Sequence, residues 1–214
     1  MISNLLYKEL RLAAHPNLYI FTMMGPLLLV PAYPYTMVFL FSCIGNFVNF
    51  MYVRETNDIY YTALLPIKKK DVVKSKMLVV VISQLALILI SIPFAFLRLL
   101  FLSDGNPVGI EANVAYYGFG LMIFAVFNYL FLTGYFKTAY KIGLPFFIGA
   151  AAAAVIAVLA EGIVHIPQLA WLDSVKMNDQ IKQLPIVILG GILYGLAILI
   201  AYKKSVKRFA KVNL

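Results

Sequence analysis

The chain has 214 residues, of which 63% are hydrophobic and only 13% charged, with a formal net charge of +9. A soluble domain is typically about 45–50% apolar and about 25% charged, so this composition excludes an ordinary soluble domain and places residues 1–214 in a bilayer as one membrane domain. The single cysteine, Cys43, excludes an internal disulfide and a thiolate metal cluster.

Residues 2–14 predict a short amphipathic helix. Ile2, Leu5, Leu6, Leu10 and Ala13 recur at helical spacing, with Asn4, Lys8 and Arg11 largely off that face. Such a helix lies in the membrane interface with its apolar side down. It lacks the continuous apolar core and cleavage site of a signal peptide, so the mature chain is expected to begin at Met1. His15-Pro16 then turns the chain into the bilayer. The next apolar run, residues 18–53, is 36 residues long and interrupted by VPAYPY at 30–35. Two crossings at about 20 residues each fit only tightly; the alternative is a re-entrant hairpin buried by protein. Either way Met1 and Arg54 share one side. The charged segment 54–76 follows. Four further spans are expected at about 77–100, 114–136, 142–163 and 185–202, separated by polar loops at 101–113 (with DGNP) and 164–184, and the basic tail 203–214 closes the chain.

The predicted fold is an all-α membrane protein with six transmembrane helices. In this layout 15 of the 18 basic residues fall on one face, and only Arg98, Lys176 and Lys182 fall on the other. Lysine and arginine collect on the cytoplasmic side, which places both termini and the 54–76 segment in the cytoplasm. Five lysines, Lys68, Lys69, Lys70, Lys74 and Lys76, lie within nine residues. They orient the loop and attract anionic lipid at about 1 kcal/mol each. Pressed against a membrane, with no separate binding fold around them, they do not form a nucleic-acid site.

The span centres carry no ionised side chain, which argues against a proton-driven pump. Asn46, Asn49, Gln84 and Asn128 are the main polar residues there. Neutral polar groups of this kind make interhelical hydrogen bonds or, alternatively, line a substrate path. Glu161 and His165, four apart, share a helix face; a metal site would need three or four ligands, and a structural pair is the simpler reading. Gly191 and Gly195 form a GxxxG that favours close helix approach, and Ala150–Ala154 suits close packing as well. No GxSxG, HExxH or phosphate-binding glycine loop is present, so no catalytic set is assigned.

Segment 54–76 has more in it than an orienting loop needs. Polar residues Glu55, Thr56, Asn57 and Asp58 precede an apolar stretch with Ile59, Tyr60, Tyr61, Leu64 and Leu65, and Pro66 then breaks the helix before the lysines. A short amphipathic helix at a membrane surface is a docking element for a partner groove. The pattern Glu55, Leu65-Pro66-Ile67, Lys68–Lys70, Val72-Val73, Ser75-Lys76 resembles the first cytoplasmic loop of ABC-2 type transporter permeases, and the opening LLYKELRLAAHPNLYIF is similar to that family's interfacial elbow helix. The compressed first hairpin departs from the family's pattern.

The resemblance implies the membrane half of an ATP-driven exporter. Residues Glu55–Leu65 would form a cytoplasmic coupling helix seated on a separate ATP-binding subunit. ATP and magnesium would be held by that subunit and no cofactor by this chain. A second permease copy, identical or sister, would complete the assembly in a bacterial cytoplasmic membrane. Small permeases of this kind resemble exporters of antimicrobial or amphipathic peptides, including bacitracin-resistance and phenol-soluble modulin systems. A self-contained secondary carrier, a membrane-integral enzyme and a non-transport structural or sensory subunit are the competing classes.

Overall fold

A computed structural model describes residues 2–102 and 105–212. The expected start at Met1, the Ser103-Asp104 part of the polar loop and the last two residues of the basic tail fall outside the described residues. Among the described residues the regular structure is entirely helical: α1 (Ile2–Arg11), α2 (Pro16–Thr22), a 3-10 segment (Gly25–Leu29), α3 (Met37–Glu55), α4 (Asp58–Ala63), α5 (Lys69–Phe101), α6 (Val114–Tyr135), α7 (Gly143–Ile163), a second 3-10 segment (Pro167–Leu172) and α8 (Met177–Phe209).

Five of these helices, α3, α5, α6, α7 and α8, are long and apolar enough to cross a membrane, and the Pro16–Leu29 segment is shorter. The expected first span is therefore not one regular helix. Pro16 starts α2 at a position that needs no amide donor. A second proline, Pro26, lies in the 3-10 segment, and Pro31 and Pro34 keep the following VPAYPY stretch out of a helix. The segment nonetheless runs the length of α3. At its start the His15 amide donates to Asn49 Oδ1 near the C-terminal end of α3 (2.9 Å). At its finish the Thr36 amide donates to Glu161 Oε1 beyond the N-terminal end of α3 (2.8 Å).

Helices α5 and α8 each have 33 residues, or about 50 Å at 1.5 Å per residue, well beyond the hydrocarbon thickness of about 30 Å. Helix α5 takes up Lys69, Lys70, Lys74 and Lys76, which the sequence reading placed in a loop. No breaker lies between Pro66 and Pro93, and Val72, Val73 and Lys76 recur on one buried helical face. Helix α8 likewise takes in part of the polar segment before it and most of the basic tail.

Helix α6 is the axis of the bundle, packed most extensively on α8 and then on α7. Its aromatic side chains fill the core: Phe124 meets Phe39 edge-on at 5.4 Å, and Phe131 and Tyr135 meet Phe50 at 5.1 and 4.7 Å, all from α3. Edge-to-face pairs of this kind add stabilisation beyond the area they bury. Contact between α6 and α8 depends on Gly118 and Gly190: a Cβ on Gly190 would sit 2.4 Å from the Gly118 carbonyl oxygen. Gly191 and Gly195, the GxxxG glycines, face open space instead. Ala153, Ala157 and Ala160 form the buried small-residue face of α7.

Candidate functional site

One end of the bundle gathers α1, α4, the C-termini of α3, α6 and α8 and the N-termini of α5 and α7; most of the lysines lie there, and it is called the basic end below. The short helix expected from the sequence ahead of the lysines is present here as α4. Helix α3 stops at Glu55, where Thr56 turns its hydroxyl back onto the Tyr52 carbonyl (2.9 Å). Asn57 takes the left-handed conformation (φ 51°, ψ 29°), a geometry Asn tolerates better than most residues. Pro66 lies beyond α4, and Lys68 is extended before α5 begins.

Helix α4 is two-faced. Ile59 and Thr62 are buried against the bundle, whereas Tyr60, Tyr61, Leu64 and Leu65 are 48%, 63%, 67% and 50% exposed. Glu55, Thr56, Asn57 and Pro66 are exposed beside them, as are Lys68, Lys69, Lys70 and Lys74. Lys76 is the exception among the five lysines, being only 1% exposed.

Lys76 lies in a ring of charges. Its Nζ is 2.5 Å from Glu9 Oε2 and 2.5 Å from Asp58 Oδ2. Lys8 Nζ completes the ring, 3.1 Å from Glu9 Oε1 and 2.6 Å from Asp58 Oδ1, and also donates to Thr62 Oγ1 at 2.7 Å. Two cations and two carboxylates alternate, so the ring is neutral and each charge has two opposite neighbours, which is what burial of an ion demands. The ring joins α1 (Lys8, Glu9), α4 (Asp58) and α5 (Lys76). Burial raises the Asp58 carboxyl, but the Lys76 ammonium, aided by Lys8, outweighs it and holds the group below its ordinary value. The sequence reading missed this cluster. The available signal was Glu9, which falls four residues after Leu5 and three after Leu6, on the otherwise apolar face of α1.

A second ionic cluster closes the opposite end. Arg98 of α5 pairs with Glu111 at 3.0 Å, the Glu111 amide donates to Asp173 Oδ1 at 2.7 Å, and the Arg98 guanidinium lies 5.5 Å from the centre of the Tyr35 ring. Burial holds the Glu111 carboxyl above its ordinary value, Arg98 opposing and Asp173 adding to the effect. Glu161 accepts from the Thr36 amide and hydroxyl and from the Ile110 amide, while His165 donates separately to the Val108 carbonyl (3.2 Å). Lys76 and Arg98 are 22 residues apart on α5 with no charge between them. That is about 33 Å of helix, close to the hydrocarbon thickness of about 30 Å.

The four intramembrane polar candidates are buried and partnered. Gln84 and Asn128 exchange two amide bonds (2.9 and 2.7 Å), and Tyr194 donates to Gln84 Oε1 (3.0 Å), tying α5, α6 and α8 together. Asn46 donates to Ser83 Oγ (3.2 Å), and Asn49 accepts from His15. None of them lines an apolar groove of about 740 Å³ between α6, α7 and α8 with Phe119, Met122, Ile156, Leu159, Leu193 and Leu196 on its walls.

Five long apolar helices bracketed by two ionic clusters define a multi-pass helical membrane protein. The family model described as ABC-2 family transporter protein matches residues 4–210, and the chain therefore belongs to the ABC-2 transporter family as a membrane permease subunit. Membership implies partnership with an ABC ATP-binding subunit. No curated protein and no solved structure is significantly similar to the chain.

Proposed function

We propose that the chain is the membrane half of an ATP-driven exporter and that α4 is its coupling helix, seated in a groove of the ATP-binding subunit. The observation that carries this reading is the two-faced α4: one side is fixed to the bundle by Ile59, Thr62 and Asp58, while four large side chains, Tyr60, Tyr61, Leu64 and Leu65, stand free. Large exposed apolar groups clustered on one short helix mark an interaction site, and an amphipathic helix fits a groove.

In this reading the basic end faces the cytoplasm, in keeping with the distribution of lysine and arginine. The chain traverses the bilayer six times, the first time through the broken segment 16–36. ATP and magnesium belong to the partner subunit, and a second permease copy completes the complex in a bacterial cytoplasmic membrane. The apolar groove between α6, α7 and α8 has the volume of a ligand pocket, typically about 300–1,000 Å³, and its lining favours an amphipathic peptide or lipid-like drug over a sugar or ion.

The test is isolation of the chain from its native membrane in mild detergent. A P-loop protein should accompany it and be lost from a Leu64→Asp/Leu65→Asp variant whose thermal stability is unchanged. Recovery of the chain without an ATP-binding subunit would sink the reading and favour a self-contained carrier. For the substrate, amphipathic peptides should stimulate ATP hydrolysis by the reconstituted complex; a flat response across a peptide panel counts against peptide export.

A further inference from the structure

The backbone on either side of α4 is poorly suited to pass on a push. Toward α3 the chain turns through left-handed Asn57. Toward α5 it passes Pro66 and extended Lys68. Neither junction continues a helix, so neither is a stiff rod. The charge ring spans the gap instead. Asp58, the first residue of α4, is bonded to Lys76 of α5 and to Lys8 of α1, and Glu9 bonds the same two lysines from α1. Glu9 and Lys76 are almost wholly buried, and separating such partners would strand charges away from water. No α3 side chain belongs to the ring.

Resting on the coupling-helix reading, we propose that the ring makes α1, α4 and the start of α5 one lever. A displacement of α4 by the ATP-binding subunit is delivered to α5 and to the interfacial helix, while α3 is spared by the turn at Asn57. Lys8, Glu9, Asp58 and Lys76 are then positioning residues for energy coupling. The exposed face of α4 provides attachment, and the ring provides transmission.

The two roles separate by experiment. The complex is isolated from native membranes through a tag on this chain, carrying a bimane on Leu100→Cys, an exposed position near the far end of α5; Cys43 is buried and escapes labelling. Lys76→Met can fail to fold, so the variant is Asp58→Asn, which takes the α4 carboxylate away from both lysines, with Asp58→Glu as the charge-conserving rescue. Lys8→Met is the comparison, because it leaves Asp58 and Glu9 bonded to Lys76. Addition of ATP should shift the bimane emission in the parent chain, in Asp58→Glu and in Lys8→Met. The shift should be lost in Asp58→Asn while the ATP-binding subunit co-purifies in undiminished yield. A full shift in Asp58→Asn overturns the lever, as does absence of a shift in the parent complex. Loss of the subunit from Asp58→Asn also overturns it, because the ring would then serve attachment only. Absence of any ATP-binding subunit from the parent preparation overturns the coupling-helix reading itself, and the lever with it.

Discussion

Replacing Lys76 by methionine tests the central claim about the basic end, that its charges are a buried and mutually dependent set. The methionine keeps most of the side-chain length and removes the ammonium. Glu9, 2% exposed, would keep a single partner, Lys8 at 3.1 Å, and the half-buried Asp58 would keep Lys8 alone. Breaking a buried ion pair from one side costs about 3–5 kcal/mol. Lys8→Met is the internal comparison. Lys8 is 22% exposed, and its loss leaves both carboxylates on Lys76, so a cost of about 1 kcal/mol, typical of a solvent-accessible pair, is expected. The triple variant Lys76→Met/Glu9→Gln/Asp58→Asn removes the stranded charges and should recover much of the loss, as neutral replacements of buried ion sets often do. The assay is denaturant unfolding in mild detergent, followed by the fluorescence of Trp171. It is the only tryptophan and lies at the opposite end, so its signal does not report local change at the ring. Equal losses for Lys76→Met and Lys8→Met, or a triple variant no better than the single, would refute the reasoning.

Other outcomes follow from the same geometry. Gly190→Val should separate α6 from α8, at about 1–3 kcal/mol for overpacking, because even a Cβ there meets the Gly118 carbonyl at 2.4 Å; Gly191→Val, which faces open space, should leave the unfolding midpoint of the isolated chain unchanged. Asn128→Leu should cost about 1–3 kcal/mol by stranding the buried Gln84 Nε2 donor, Oε1 keeping Tyr194, and a double-mutant cycle with Gln84→Leu should return a coupling of about 0.6–1.7 kcal/mol, between the mean and the maximum for interhelical hydrogen bonds in membranes. The two ionic ends should respond to pH with opposite sign. The Asp58 carboxyl is depressed, so its contribution is complete above the ordinary value of 3.8 and is lost as pH falls through the folded value; Asp58→Asn should flatten that acid limb. The Glu111 carboxyl is raised, so its contribution is complete below the ordinary value of 4.5 and is lost as pH rises through the folded value; Glu111→Gln should remove that decline. Unfolding midpoints measured across about pH 2–7, with the sign of each slope read separately, check both.

The sequence by itself determined the membrane class, the approximate position of the four long helices α5 to α8, the amphipathic helix α1 and the short helix α4 ahead of the lysines, whereas it left the path of residues 18–53, and so the limits of α3, open. These are consequences of local pattern. An apolar run of about 20 residues has few other stable solutions in a bilayer, and Pro66 and Asn57 act on their immediate neighbours. Helix limits were less legible, because Lys69–Lys76 and the tail near 203–209 are polar by composition yet continue helices whose packing lies outside any local window. Only the tertiary structure decided which small residues are in contact. Gly118 and Gly190 come together from different helices, whereas the pair visible as a motif, Gly191 and Gly195, faces outward. It also decided that Lys76 is not one more orienting lysine. A lysine's role depends on whether carboxylates meet it in space, and Glu9 and Asp58 reach it from 67 and 18 residues away in the chain. Periodicity reports which way a side chain faces along its own helix; what it faces there is set by helices that folding brings alongside.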